Sequence, residues 1–226
     1  FRSANAIYQL VAPWRHTTAD KLAFARRPEE FRCAAIVELA DDFDYGYAIV
    51  RQLLCDRFDL LRLARLARSS VAPVAQLAAR MHAEERNHVS HADEWVMRLG
   101  QGGRDSRTRV QAALERLAPH AASLFEPTEG QERLEAAGVY PPLEAAGATT
   151  SPLSSAASTV RTPGADMFGV WQTAVQRVLA DAGLRATFAP SAAGFVGGRR
   201  GKHTPEFAPL RSEMTEVAAA DPEATW

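Results

Sequence analysis

Three side chains near the middle of the chain have the types and spacing of a metal or acid–base site. In "MHAEERNHVSHADEW", residues 81–95, Glu84, Glu85 and His88 fall within little more than one helical turn. A Glu and a His three positions apart share a helix face, the way some four-helix bundles present two ligands to a pair of iron ions. One helix upstream, Asp56 stands between Leu53 and Leu60 on an apolar seam. On facing antiparallel helices Asp56 and the Glu84–His88 group can converge at one level of a bundle. A carboxylate-bridged pair of irons needs a further Glu and a second Glu-x-x-His from two other helices, and the chain has no second Glu-x-x-His. The competing reading is a buried polar network. Both helices are rich in arginine (Arg51, Arg57, Arg62, Arg80 and Arg86), and a carboxylate on a seam is tolerated when a cation pairs with it.

Other candidates are less specific. His82 and His91 fall off the seam and are expected to face solvent. Glu38 is the other acidic residue embedded in an apolar run, and it precedes the first long helix. The segment "GGRRGKH" holds Gly197, Gly198, Arg199, Arg200, Lys202 and His203. Its cations and pliable backbone suit an anion, a solvated loop or a docking tail. Walker loops, dinucleotide fingerprints and nucleophile elbows are absent from the sequence. Trp14, Trp95, Trp171 and Trp226 read as core or interface anchors.

Elements that position these residues follow from periodicity. Asp44 can cap a helix over Tyr45–Ala67, whose seam is Ile49, Leu53, Asp56, Leu60, Leu63 and Ala67. Ser69 or Ser70 can cap a second helix over Ala72–Leu99, with Val74, Leu77, Met81, His88, Trp95 and Leu99 as its seam. A third is expected over Asp105–Phe125, kinked or shortened by Pro119, and a fourth over Ala165–Ala182. Upstream, a helix ends near Ala12 at Pro13, and a short one covers Asp20–Ala25. Downstream, a short helix covers Pro209–Ala219. The stretch 126–163 reads as a flexible, irregular loop, and 190–226 as a C-terminal docking tail. Residues 1–226 therefore form one all-α domain, a helix bundle. The apolar positions of the third and fourth helices exceed what an incomplete bundle can bury, so part of them is expected to face a partner.

Bulk composition agrees. Hydrophobic residues make up 46% of 226 and aromatics 8%, with Ala, Leu and Arg abundant, which favours helix over sheet. A formal net charge of -1 supplies no global basic field for nucleic acid. Cys33 and Cys55 form no CxxC pair and read as reduced thiols of a cytoplasmic protein. No apolar run reaches membrane-spanning length and no signal peptide is evident. The chain opens on Phe, so its beginning is expected to be missing.

Several separate blocks resemble one family. "DKLAFARRPEEFRCAAIVEL", "FDYGYAIVRQLLCDRFDLL", "AEERNHVSHADEWVMRLGQGGRDSRTRVQAALERLAPHAASLFEP" and "GGRRGKHTPEFAPLRSEM" are similar, in this order, to the structural (C) subunit of the bacterial phenylacetyl-CoA epoxidase. That enzyme is the multicomponent oxygenase of aerobic phenylacetate degradation. The resemblance covers most of the chain and is weakest over 135–161. It implies a ferritin-like bundle that has lost its chemistry, here without its N-terminal helix and part of the next. It also implies a homologous catalytic partner that holds the di-iron centre, other members of the complex as further partners, and no cofactor in this chain. Glu84 fits the family's Glu-x-Arg pattern, Glu85 falls where an uncharged residue is usual, and Asp56 matches an acidic position. The function expected is a non-catalytic structural subunit that stabilises the catalytic one. The alternatives are a ferritin-like di-iron oxidase in its own right and a free-standing bundle whose charged seam is structural.

Overall fold

Asp44 starts the first long helix by local chemistry: its Oδ1 accepts the Tyr47 N–H at 2.7 Å. The computed structural model describes residues 2–39, 44–143, 166–190 and 197–221. Among them the chain is all-helical, a ferritin-like bundle. In order the α-helices are α1 (Arg2–Val11), α2 (Ala19–Phe24), α3 (Ala35–Glu38), α4 (Tyr45–Leu66), α5 (Ala72–Gly100), α6 (Arg104–Leu117), α7 (Gln131–Ala136), α8 (Met167–Asp181) and α9 (Phe207–Ala220). Tight 3-10 turns follow α1, where Pro13 stops the helix, and α6, where Pro119 opens a run over Ala118–Phe125.

The bundle proper is α4, α5, α6 and α8. Helix α4 packs against the other three, and α5 packs against α6 and α8. Their shared core contains Leu53, Leu54 and Phe58 of α4, Ala92 and Val96 of α5, Leu114 and Leu117 of α6, and Trp171, Val175 and Leu179 of α8. Trp171 is its centre. The indole is fully buried, its Nε1 donates to the Leu54 carbonyl at 2.9 Å, and Phe125, Phe168 and Phe188 surround it at 5.0–5.7 Å between ring centres.

Several expectations need correction. The buried stripe of α5 is Ala78, Val89, Ala92, Val96 and Gly100, displaced from the anticipated seam. Small residues let α5 approach its neighbours closely: a Cβ on Gly100 would lie 2.6 Å from the Ala182 carbonyl. The larger Leu77, Met81, Trp95 and Leu99 consequently sit half-buried beside the stripe. Val71, not a serine, precedes α5 at the cap position, and Ser70 donates to the Ala137 carbonyl at 3.0 Å instead. Of the apolar positions of α6 and α8, part of which was expected to face a partner, Val110, Leu114, Leu117, Trp171, Val175 and Leu179 are buried within the chain, while Val170 of α8 is exposed. Trp14 is 60% exposed and anchors no core; Trp226 lies outside the described residues.

The first part of the supposed loop is ordered. Helix α7 lies within it, and Arg65, nearly buried on α4, ties it down. Arg65 pairs with Glu135 at 2.8 Å, donates to the Pro141 carbonyl at 2.7 Å and stacks on Tyr140 at 3.6 Å from the ring centre. A long side chain with several donors can fix a segment that has little core of its own. Residues 144–163, the remainder of that expected loop, lie outside the described residues.

Candidate functional site

Two side-chain clusters have the donor types that bind metal ions or move protons. The first joins α4 and α5. Ligand atoms of Asp56, Glu85 and His88 all lie within 4.8 Å of one another, and His88 Nδ1 is 3.1 Å from Glu85 Oε2. Burial pushes the Asp56 carboxyl above the usual carboxylate range. Burial also pushes Glu85 up, and the neighbouring Asp56 charge adds to it. One carboxylate oxygen, Asp56 Oδ2, is buried without a hydrogen-bond partner among the described residues. His88, by contrast, has a side chain 60% exposed against 14% for Glu85.

Glu84 does not join this cluster. It is exposed on the neighbouring face of α5 and accepts a hydrogen bond from Ser3 of α1 at 3.1 Å. The arginines expected to pair with the seam acids turn to other partners. Arg57 pairs with Asp93 at 2.5 Å and Arg62 with Asp59 at 2.9 Å, while Arg80 and Arg86 do not bury their side chains. His91 is exposed and His82 half-buried. Two bridged irons call for carboxylates from four helices and two histidines. Among the described residues, this cluster gathers two carboxylates and one imidazole from two helices. That donor set does not fit a di-iron centre.

The second cluster was hidden in the sequence by distance. Glu38, at the end of α3, is fully buried. Its Oε2 accepts the Thr204 N–H at 2.8 Å and the Thr204 hydroxyl at 2.9 Å. Its Oε1 lies 2.6 Å from His203 Nδ1 and 3.1 Å from Cys33 Sγ. The other ring nitrogen of His203 faces the Pro28 carbonyl at 2.9 Å, and the ring stacks on Phe207 with centroids 3.7 Å apart. Burial, then the Glu38 carboxylate, pushes the Cys33 thiol up to about 12. The sequence did hold a signal. An acid inside the apolar run "AAIVEL" must find donors, and the "HT" of the tail supplies them.

Within the expected docking tail, residues 197–203 pack onto the rest of this chain. Gly197 donates its N–H to Glu126 Oε2 at 2.8 Å, and Arg200 pairs with the other oxygen of Glu126 at 2.7 Å. Arg199 donates to the Leu124 carbonyl and lies over the Phe58 ring. Gly198 lies so close to the 33–35 backbone that a Cβ would sit 2.2 Å from the Cys33 carbonyl oxygen. Lys202 remains broadly exposed.

Comparison with known proteins fits this architecture. The family model described as "Phenylacetic acid catabolic protein" matches residues 3–226. The chain is also similar to the 1,2-phenylacetyl-CoA epoxidase (C) subunit of Escherichia coli (strain K12), at 25% identity over 208 residues, 92% of this chain and 74% of that protein. Among the described residues no helix is long and apolar enough to cross a membrane.

Proposed function

The chain belongs to the phenylacetic acid catabolic protein family, and from that premise we propose that it is a non-catalytic, structural subunit of a phenylacetyl-CoA epoxidase complex. In this reading it binds and stabilises a homologous di-iron catalytic subunit, contacts other members of the complex, and works in the cytoplasm without nucleic acid or membrane. It carries no catalytic cofactor of its own. One observation carries the reading. The position where a ferritin-like bundle builds its metal site offers two carboxylates and a largely exposed imidazole, and Glu84 points elsewhere.

The test is assembly and metal content together. The chain is purified alone and also together with the catalytic subunit, and iron is quantified in each sample. Iron should follow the catalytic subunit, and the two chains should co-elute at the mass of a hetero-oligomer. A second reading, a di-iron oxidase in its own right, draws support from the unpartnered Asp56 Oδ2 beside Glu85 and His88. Close to two irons per chain in this protein alone, lost on His88→Ala, would establish that second reading and overturn the first.

A further inference from the structure

The Cys33–Glu38–His203 cluster lies apart from the α4–α5 site, and the function proposed above makes no use of it. Its geometry has an unusual feature. His203 Nε2 faces a backbone carbonyl at 2.9 Å, so that nitrogen is an N–H donor, and Nδ1 meets Glu38 either as the second N–H of an imidazolium or as a lone pair. Nδ1 then confronts Oε1 at 2.6 Å, and Cys33 Sγ approaches the same oxygen at 3.1 Å and Nδ1 at 3.9 Å. A carboxylate oxygen and an imidazole nitrogen this close require a proton or a cation between them.

We propose that Cys33 Sγ, Glu38 Oε1 and His203 Nδ1 form a zinc site that clamps the C-terminal segment onto the segment before α3. The donor set selects the ion. A thiolate and an imidazole with one carboxylate suit Zn2+, whereas Mg2+ and Ca2+ take oxygen ligands. Tetrahedral zinc with ordinary bond lengths separates such ligand atoms by roughly 3.4–3.6 Å. Sulfur and nitrogen, 3.9 Å apart, have to close by about 0.3–0.4 Å, and Glu38 Oε1 has to withdraw by roughly 0.5–0.8 Å to match that spacing.

The surroundings are those of a metal site. Zinc-binding histidines usually donate their second N–H to a carbonyl or carboxylate, as His203 does to Pro28, and ligating carboxylates are themselves hydrogen-bonded, as Glu38 is by Thr204. Zinc takes the place of two protons, the one on Cys33 Sγ and the one shared by Nδ1 and Oε1, and both leave to solvent. Three protein ligands leave the fourth position for water.

The full chain, stripped with a chelator and dialysed, is titrated with Zn2+ and separately with Co2+. The expected result is one saturable equivalent, a higher melting temperature with zinc, and a thiolate-to-cobalt charge-transfer band. C33S should lose that band, and C33S and H203Q should each bind zinc more weakly by at least about tenfold. D56N and E85Q should leave uptake unchanged. No saturable uptake, a charge-transfer band that survives C33S, or uptake abolished by D56N instead would overturn the proposal. If C33S fails to fold, the wild-type chain decides: zinc must slow alkylation of Cys33, mapped by peptide mass, relative to Cys55. Equal alkylation of Cys33 with and without zinc refutes the site.

Discussion

His203 Nδ1 lies 2.6 Å from an oxygen of the fully buried Glu38, a contact that joins two residues 165 positions apart in the chain. Thr204 occupies the other oxygen through both its N–H and its hydroxyl. The carboxylate therefore has partners at both oxygens, and an acid in an apolar segment becomes the point at which the tail is held. Nearby, Glu126 repeats the arrangement with Gly197 and Arg200. Two buried glutamates, together with the buried Phe207 ring packed against Phe31, hold the C-terminal segment.

Removing Glu38 should therefore cost far more than its place in a short helix suggests. Glu38→Ala leaves Thr204 and Cys33 without their acceptor and His203 Nδ1 without its partner, and each buried polar group left unsatisfied costs about 1–3 kcal/mol. Glu38→Gln should cost less, because the amide still accepts from Thr204 and can donate to a neutral imidazole. Urea unfolding followed by circular dichroism measures both. Equal midpoints for Glu38→Ala and the wild type would show that the tail is held by other contacts.

Backbone proximity gives a second prediction. A Cβ at Gly198 would lie 2.2 Å from the Cys33 carbonyl oxygen, and one at Gly201, where φ is +82°, would lie 2.2 Å from that of Glu29. Each alanine variant must push the tail off the 29–35 segment or strain the backbone, at a cost of roughly 1–3 kcal/mol. Limited proteolysis should cut near residue 200 sooner in both variants. An unchanged cleavage pattern would count against this tight packing.

These two cases show which parts of the molecule were legible in the sequence. Helices α4, α5, α6 and α8 could be read from local periodicity, because each buries a stripe set by its own residues. The cap at Asp44 and the break at Pro119 were legible for the same reason. Contacts across long sequence separations were not. The α5 stripe moved because Ala78, Ala92 and Gly100 allow close approach, which a search for large apolar residues overlooks. Grouping Glu85 with His88 follows from helical spacing alone, while the separation of Glu84 depends on where α1 lies. The Arg65 clamp on residues 135–141 likewise depends on tertiary placement.

Tryptophans give a paired prediction. Trp171 is fully buried amid three phenylalanines, whereas Trp14 is 60% exposed. Trp171→Ala should destabilise the chain by about 3–5 kcal/mol, through lost burial and the cavity left behind. Trp14→Ala should stay within roughly 0.5 kcal/mol. Thermal unfolding of the two variants side by side checks the contrast. A larger loss for Trp14→Ala would mean that its exposed ring is covered in solution.

The pH dependence of stability tests the α4–α5 cluster. Burial raises the carboxyl groups of both Asp56 and Glu85, and the Asp56 charge adds to the rise at Glu85. An acid whose folded pKa exceeds its unfolded value favours the folded state while protonated. Its contribution is complete below about pH 4, the unfolded range, and is lost as pH rises through the raised folded value. The two residues should therefore make the isolated chain less stable as pH climbs toward neutrality. Glu85→Gln keeps an acceptor near His88 and removes one charge, so it should stabilise the chain at pH 7 by about 0.5–2 kcal/mol and flatten the slope. Asp56→Asn should act in the same direction, and the double variant should gain less than the sum, since either change relieves the same repulsion. Melting temperatures across this pH range, with chelator present, supply the measurement. A loss of stability in Glu85→Gln at neutral pH would mean that a cation compensates the pair. The same titration after assembly then asks whether that cation comes from the partner: if it does, the sign reverses only in the complex.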